Sequence, residues 1–369
     1  MADRTQGQRL LDPFEGTAYR TVQRLCAGEM SELFVVEHLQ IGRRFAAKAL
    51  HAHVSHTPQV VDRLRLEGQA LARLSHPNVV SVEGFDTTRD GRPFLIMELL
   101  RGRSLAQELA ERGAFPMPKA LAFATQLLSA LEAVHQIGVV HRDVSPANVF
   151  IAEAHGGRSH VKLLDFGIAR VVADAPPEAP RPLSIPTDSG TVLGTPRYLS
   201  PEGAGGGTVD ERGDVYGAAL VLYAMLAGRG PFDHLRGDDA LLRAHAQMAP
   251  DPVSRHAREP IPAELDAILL RALDKDPNAR FGSAREFRLE LERLSALYVS
   301  PLVALDPPPS GARDVKSDRV SVAPRPARKL SPKVLALAVV VALAGFSASA
   351  LAVVGIGTWL RGGSTSHGR

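Results

Sequence analysis

His141-Arg142-Asp143-Val144-Ser145-Pro146-Ala147-Asn148, followed further on by Asp165-Phe166-Gly167, is the stretch that decides how this chain is read. Asp143 lies five residues before Asn148 and twenty-two before Asp165. Two carboxylates and an amide oxygen at loop positions can hold a hard cation such as Mg²⁺ and leave one carboxylate free as a base. Separate Asp residues in loops are ordinarily turn formers or helix caps. The ordered combination is what points to a site.

Outward from this stretch, Phe45-Ala46-Ala47-Lys48 reads as an apolar strand carrying one lysine. A lone Lys in a strand is ordinarily a solvated face residue. Between Val60 and Leu74, however, Val60, Leu64, Leu71 and Leu74 recur at helical spacing, with Glu67 on the same stripe. A carboxylate on the buried face of a helix is costly unless paired, and Lys48 is the nearest upstream cation on a strand. The alternative is that Glu67 escapes to the rim of the apolar face. Further upstream, Leu25-Cys26-Ala27-Gly28-Glu29-Met30-Ser31-Glu32-Leu33 reads as a small-residue turn between strand-like pieces. Such a turn lets backbone N–H groups come close to phosphates.

Together these motifs resemble the eukaryotic-type (Hanks-type) serine/threonine protein kinases, specifically the membrane-anchored bacterial subfamily. The resemblance runs from about residue 20 to 295. It implies a two-lobed α+β kinase domain over 20–297, with a small sheet-rich lobe at 20–97 and a mainly helical large lobe at 101–297. By position, Lys48 would hold ATP phosphates with Glu67 as its helix partner, and Asp143 would be the base that orients the acceptor hydroxyl. Asn148 and Asp165 would hold Mg²⁺, with Mn²⁺ as a substitute. The implied ATP pocket comprises Leu25, Cys26, Gly28, Leu33, Ala46 and Lys48, together with a hinge strand at Phe94–Leu100. In that strand Met97 is the gatekeeper, and the Glu98 and Leu100 backbones face the adenine.

Downstream, Gly194-Thr195-Pro196-Arg197-Tyr198-Leu199-Ser200-Pro201-Glu202 resembles the segment that closes the activation loop, with Thr195 facing the substrate. Asp210-Glu211-Arg212-Gly213-Asp214 resembles the start of the large-lobe core helix, where Asp214 braces the catalytic loop. Arg280 matches the arginine that pairs with Glu202. The implied activity is ATP- and Mg²⁺-dependent phosphorylation of protein Ser/Thr hydroxyls, the preference over Tyr resting on Gly194-Thr195-Pro196. In this family an Arg at position 142 commonly pairs with a phosphorylated activation-loop residue. The hydroxyls Thr187, Ser189 and Thr191 cluster before Gly194 and are the expected autophosphorylation sites, unless they are ordinary loop hydroxyls.

Three positions depart from the family pattern. Cys26 and Ser31 stand where the nucleotide loop has its first and third glycines, and Ser145 replaces a lysine. Side chains in the loop restrict its backbone, and a neutral Ser145 removes one stabiliser of the transferring phosphoryl group. Weaker nucleotide affinity or slower turnover is expected. The alternative is a membrane-tethered pseudokinase scaffold. Lys48, Glu67, Asp143, Asn148 and Asp165 are all intact, which favours the enzyme.

The rest of the 369 residues has a different texture. The net charge is +3, yet residues 1–300 carry 34 Lys+Arg against 37 Asp+Glu, so the basic surplus belongs to the tail. That balance argues against a nucleic-acid binder. The single Cys26 excludes an intrachain disulfide framework and a cysteine-rich zinc cluster. Residues 1–19 form an N-terminal extension without a visible signal peptide. Residues 298–333 are a Pro-rich, basic linker expected to be disordered. Residues 334–360 carry no charge, and at about 1.5 Å per residue they exceed the roughly 30 Å of bilayer hydrocarbon. A transmembrane helix is expected there, a buried core helix being the alternative. Arg325, Arg328, Lys329 and Lys333 outnumber the charges beyond it, so the positive-inside rule places the kinase domain in the cytoplasm. The reading is a single-pass protein of the cell (inner) membrane, in contact with lipid, with residues 361–369 outside. Ala344, Ala348 and Ala352 offer a small-residue face for helix pairing into a homodimer. Val215–Ala227 is too short to span and is expected to be a core helix ending at Gly228.

Overall fold

Strand alternation sets the small lobe. In Arg44–Leu50 (β3), successive side chains point to opposite faces, so Phe45, Ala47 and Ala49 share one face while Ala46, Lys48 and Leu50 share the other. The computed structural model describes residues 12–28, 31–55, 58–153, 159–165 and 196–298, without the side chains of 58–60, 63 and 67. The sheet is antiparallel throughout, in the order Tyr19–Ala27 (β1), Ser31–His38 (β2), β3, Pro93–Glu98 (β5) and Val82–Thr87 (β4). Its register aligns Leu33 with Lys48 and Lys48 with Leu95, and likewise Val35 with Ala46 and Ala46 with Met97.

Both faces of the sheet are covered, which is why β3 and β5 read as nearly continuous apolar runs. The outer face packs Phe34, Val36, Phe45, Phe94 and Ile96 around Phe14, which is fully buried. The Phe14 ring meets Phe34 and Phe94 edge-on, with centroids 5.3 and 5.0 Å apart. Asp12 fixes the entry of this segment by accepting from the amides of Phe14 (3.0 Å) and Thr21 (2.9 Å). The small lobe therefore begins before the boundary at residue 20 read from sequence. Residues 12–18 belong to it because the outer face needs a large apolar side chain that the sheet itself does not supply.

The inner face receives the helix Pro58–Ala72 (α2, after the single turn Ala52–Ser55, α1). Gly68 permits the approach, since a Cβ there would lie 2.8 Å from Leu95 Cδ2. The lobes join through Asn78–Val80 and the strand Ser159–Leu163 (β8): Val80 N–H donates to Leu163 O, and Leu163 N–H donates to Asn78 O. That strand completes a small sheet with Gly102–Ser104 (β6) and Val149–Glu153 (β7).

The large lobe is built from helices Leu105–Arg112 (α3), Met117–Gln136 (α4), Pro201–Ala204 (α5), Glu211–Ala227 (α6), Asp238–Gln247 (α7), Ala263–Ala272 (α8) and Ala284–Tyr298 (α9). Helix α6 is its axis, buried on every side from Gly213 to Leu226, as expected for the core helix. Asp210 caps it by accepting from Arg212 N–H at 2.9 Å, and Gly228 ends it in the left-handed region at φ 74°. The Arg212 side chain also bonds Asp210, which holds that carboxyl below its usual range. Among the described residues no helix is long and apolar enough to cross a membrane. The linker at 299–333, the segment 334–360 and the tail lie outside the described residues.

Candidate active site

The site is built upward from Asp214, near the start of α6 and 1% exposed. Its Oδ1 accepts from Arg142 N–H (2.7 Å), and its Oδ2 accepts from His141 N–H (2.7 Å) and bonds His135 Nε2 (2.8 Å). One carboxylate thus clamps two successive backbone amides of the loop. Arg142 has φ 63°, an unfavourable region for a residue with a Cβ, and the clamp offsets a cost of about 1–3 kcal/mol. The helix reaches the loop because position 217 is glycine: a Cβ there would sit 2.9 Å from Val144 Cβ. Glycine is poor in a helix interior by about 1 kcal/mol, so close approach to the loop outweighs helix propensity at this point.

On top of that clamp, His141 is fully buried and its Nε2–H donates to Leu164 O at 2.7 Å. This leaves Nδ1 as acceptor for Asp143 N–H at 3.3 Å. Asn148 then donates from Nδ2 to both the backbone oxygen and Oδ2 of Asp143, each at 2.8 Å. The loop turn is closed by Asn148 N–H to Ser145 O, and Leu164 N–H donates to Asn148 O. Asp143, Asn148 and Asp165 are therefore drawn into one locality by hydrogen bonds of the loop itself.

Across the crevice, Lys48 Nζ bonds Asp165 Oδ1 at 2.9 Å. Asp165 has φ 45°, a second left-handed non-glycine residue in the same place. Glu67 lies on α2, and its side chain is outside the described set; among the described residues Lys48 pairs with Asp165. Beside this pair opens a cleft lined by Leu33, Ala46, Met97, Glu98, Leu100 and Asp165, all expected from sequence. Leu99, within the expected hinge strand, also lines it; Val80, Phe150 and Leu164 complete the lining and were not expected. Phe150 had a legible signal, two residues after Asn148; the others are brought in by the lobe junction. The Glu98 side chain turns to Lys162 Nζ at 2.6 Å, fastening the hinge strand to β8.

Leu25, Cys26 and Gly28 do not line that cleft. Leu25 falls at the register shift between Arg24 and Cys26, and Cys26 pairs across the strands with Leu33. Burial and the nearby Asp165 push the Cys26 thiol up to about 11, so it stays neutral. Gly28 N–H donates to Ser31 O, and Gly28 O accepts from His51 Nε2 at 2.8 Å. Nothing in the sequence marked His51 as a tether for this turn.

Farther out, Arg280 and Glu202 form a two-pronged ion pair, with N–O distances of 3.0 and 2.8 Å. The Arg280 side chain is fully buried, and its other donors reach the carbonyls of Asp274, Arg212 and Lys275. Burial alone would raise Glu202, but the Arg280 hydrogen bonds and charge hold its carboxyl below the usual range. Thr187, Ser189, Thr191 and Thr195 lie outside the described residues.

The model for the protein kinase domain family matches residues 19–289. Serine/threonine-protein kinase Pkn1 of Myxococcus xanthus is 37% identical over 291 residues, covering 78% of this chain and 40% of its own length. PknB of Mycobacterium tuberculosis is 36% identical over 280 residues, covering 75% of this chain and 42% of PknB. The chain thus spans about two fifths of the length of these relatives. The solved kinase domain of Mycobacterium tuberculosis PknI superposes with a TM-score of 0.59 at 29% identity, covering 77% of this chain and 99% of that one. By sequence match and by fold, the chain belongs to the protein kinase family, among its bacterial Hanks-type serine/threonine kinases.

Proposed function

We propose that this chain transfers the γ-phosphoryl group of ATP to serine or threonine hydroxyls of proteins. The observation that carries the reading is the convergence of Asp143, Asn148, Asp165 and Lys48 at the mouth of an apolar cleft. The adenine occupies the cleft, and Lys48 meets the phosphates. Asp143 takes the proton of the acceptor hydroxyl as its oxygen bonds the γ-phosphorus; the bond to the bridging oxygen breaks, and its electron pair leaves with ADP. Asn148 and Asp165 suit Mg²⁺. Asn148 commits its N–H group to Asp143, which leaves its hard oxygen as a donor, and Asp165 offers a second oxygen beyond the one on Lys48. When bound, the cation neutralises phosphate charge. The test is phosphate transfer to a protein acceptor with Mg²⁺ and ATP, comparing wild type with Asp143→Asn. No observation favours the pseudokinase alternative.

The hydrogen bond from His51 holds the nucleotide turn at Gly28, where Cys26 and Ser31 replace glycines. His51→Ala is expected to raise KM for ATP about 2- to 10-fold, the worth of one hydrogen bond, with kcat nearly unchanged. Steady-state kinetics with varied ATP checks this; an unchanged KM would remove the role.

The reading extends to regulation and location. Phosphorylation at Thr187, Ser189 or Thr191 would supply an anion for Arg142. Residues 334–360 would anchor the chain in the cell membrane, kinase domain inside, and pair through the Ala344 face. Full-length protein should remain in the membrane pellet after alkaline extraction, and a chain lacking 334–360 should not. Release of the full-length chain would overturn the anchor.

A further inference from the structure

A second groove opens beside the loop that carries Asp143. The loop contributes Ser145, Pro146 and Ala147, helix α3 contributes Ala106 and Leu109, and the end of α6 contributes Ala224 and Gly228. The small residues are what leave the space, and Ala106 N–H donates to Pro146 O, so α3 is fastened to the loop itself. Ser145 is two residues from Asp143, so the groove lies beside the loop that would orient the acceptor hydroxyl. A lysine at 145 would bring a cation to the groove; the serine brings none.

The charged residues at the groove rim are already engaged. Asp233 lies there with both oxygens occupied, Oδ1 by Arg197 Nη1 at 2.7 Å and Oδ2 by Gly230 N–H at 2.8 Å. Arg229, also at the rim, places its Nη2 3.1 Å from His256 Nδ1. A carboxylate cancelled in this way gives no net attraction for a basic side chain, and the wall between these charges is mostly hydrocarbon, interrupted by Ser145 and Tyr198. We infer that this groove selects protein substrates carrying an apolar side chain, of leucine or phenylalanine size, at one fixed position flanking the Ser/Thr acceptor. The inference rests on the kinase reading above and adds the substrate class to it. Arg197 is the specificity-determining residue, because it is what silences Asp233.

The test is a positional scan with the full-length chain, Mg²⁺-ATP and peptides bearing one Ser/Thr acceptor. One flanking position should favour Leu, Met or Phe over Ala by at least about tenfold in kcat/KM, the discrimination a hydrophobic pocket supplies. Arg197→Ala should shift that same position towards Lys and Arg, since it uncovers the Asp233 carboxylate. Ala106→Leu fills the groove and should shrink the apolar preference to about twofold. Transfer with a flat scan, or with a wild-type preference for Lys, Asp or Glu at every selective position, would overturn the groove and leave the kinase reading standing. Absence of transfer to any peptide and to the chain itself would overturn both.

Discussion

Asp143→Asn is expected to lower the rate of phosphoryl transfer by about 10²- to 10⁴-fold, the usual worth of a positioned general base. Asparagine has the same shape but cannot take the proton of the acceptor hydroxyl. The loop around it should hold, because Asn148 Nδ2 also donates to the backbone oxygen of residue 143, and its amide reaches His141 Nδ1. ATP affinity and melting temperature should therefore stay near wild type while kcat collapses. Radiolabel transfer and nucleotide binding, measured on the same preparation, separate the two. Phosphate on Thr187, Ser189 or Thr191 should disappear from the variant. A variant that transfers phosphate at the wild-type rate would remove Asp143 from the mechanism.

Arg280→Ala is expected to cost about 3–5 kcal/mol of folding stability. The loss comes less from the pair than from what the truncation strands: a Glu202 carboxylate and the carbonyls of Asp274, Arg212 and Lys275, all deprived of a donor. The melting temperature should fall on the order of 10 °C, and a fall of a degree or two would show that the pair is incidental. Acid should act in the same direction. Glu202 titrates below its ordinary value in the folded chain, so the stabilisation is complete above the unfolded carboxylate pKa. It is lost as pH drops through the folded value, and Glu202→Gln should flatten that limb of the stability profile.

Much of the site could be read from sequence because its chemistry is local. Asp143 and Asn148 share one turn, and their mutual hydrogen bond is the physical form of their spacing. Lys48 was legible as the nearest strand cation upstream of Glu67 and by its place in the family pattern, and strand alternation puts it on the cleft face with Ala46 and Leu50. The core helix was legible from an apolar run with a glycine at its end. What resisted reading joins distant parts of the chain. Glu98 and Lys162 are 64 residues apart, Lys48 and Asp165 are 117 apart, and no periodicity pairs one charge with another across such a distance. Val80 and Leu164 line the cleft only because the lobe junction brings them there. His51 and Phe14 had no pattern around them at all; their importance is a property of the neighbours they meet.

Phe14 has a practical consequence for anyone who wishes to work with the domain alone. The family match begins at residue 19, and a fragment cut there would discard Asp12 and Phe14 together. Phe34, Phe94 and their neighbours would then face water as a contiguous oily patch on the back of the lobe. Such a fragment would show poor solubility or spurious self-association that belongs to the truncation and not to the protein. Starting the fragment at residue 12 or earlier keeps that surface sealed.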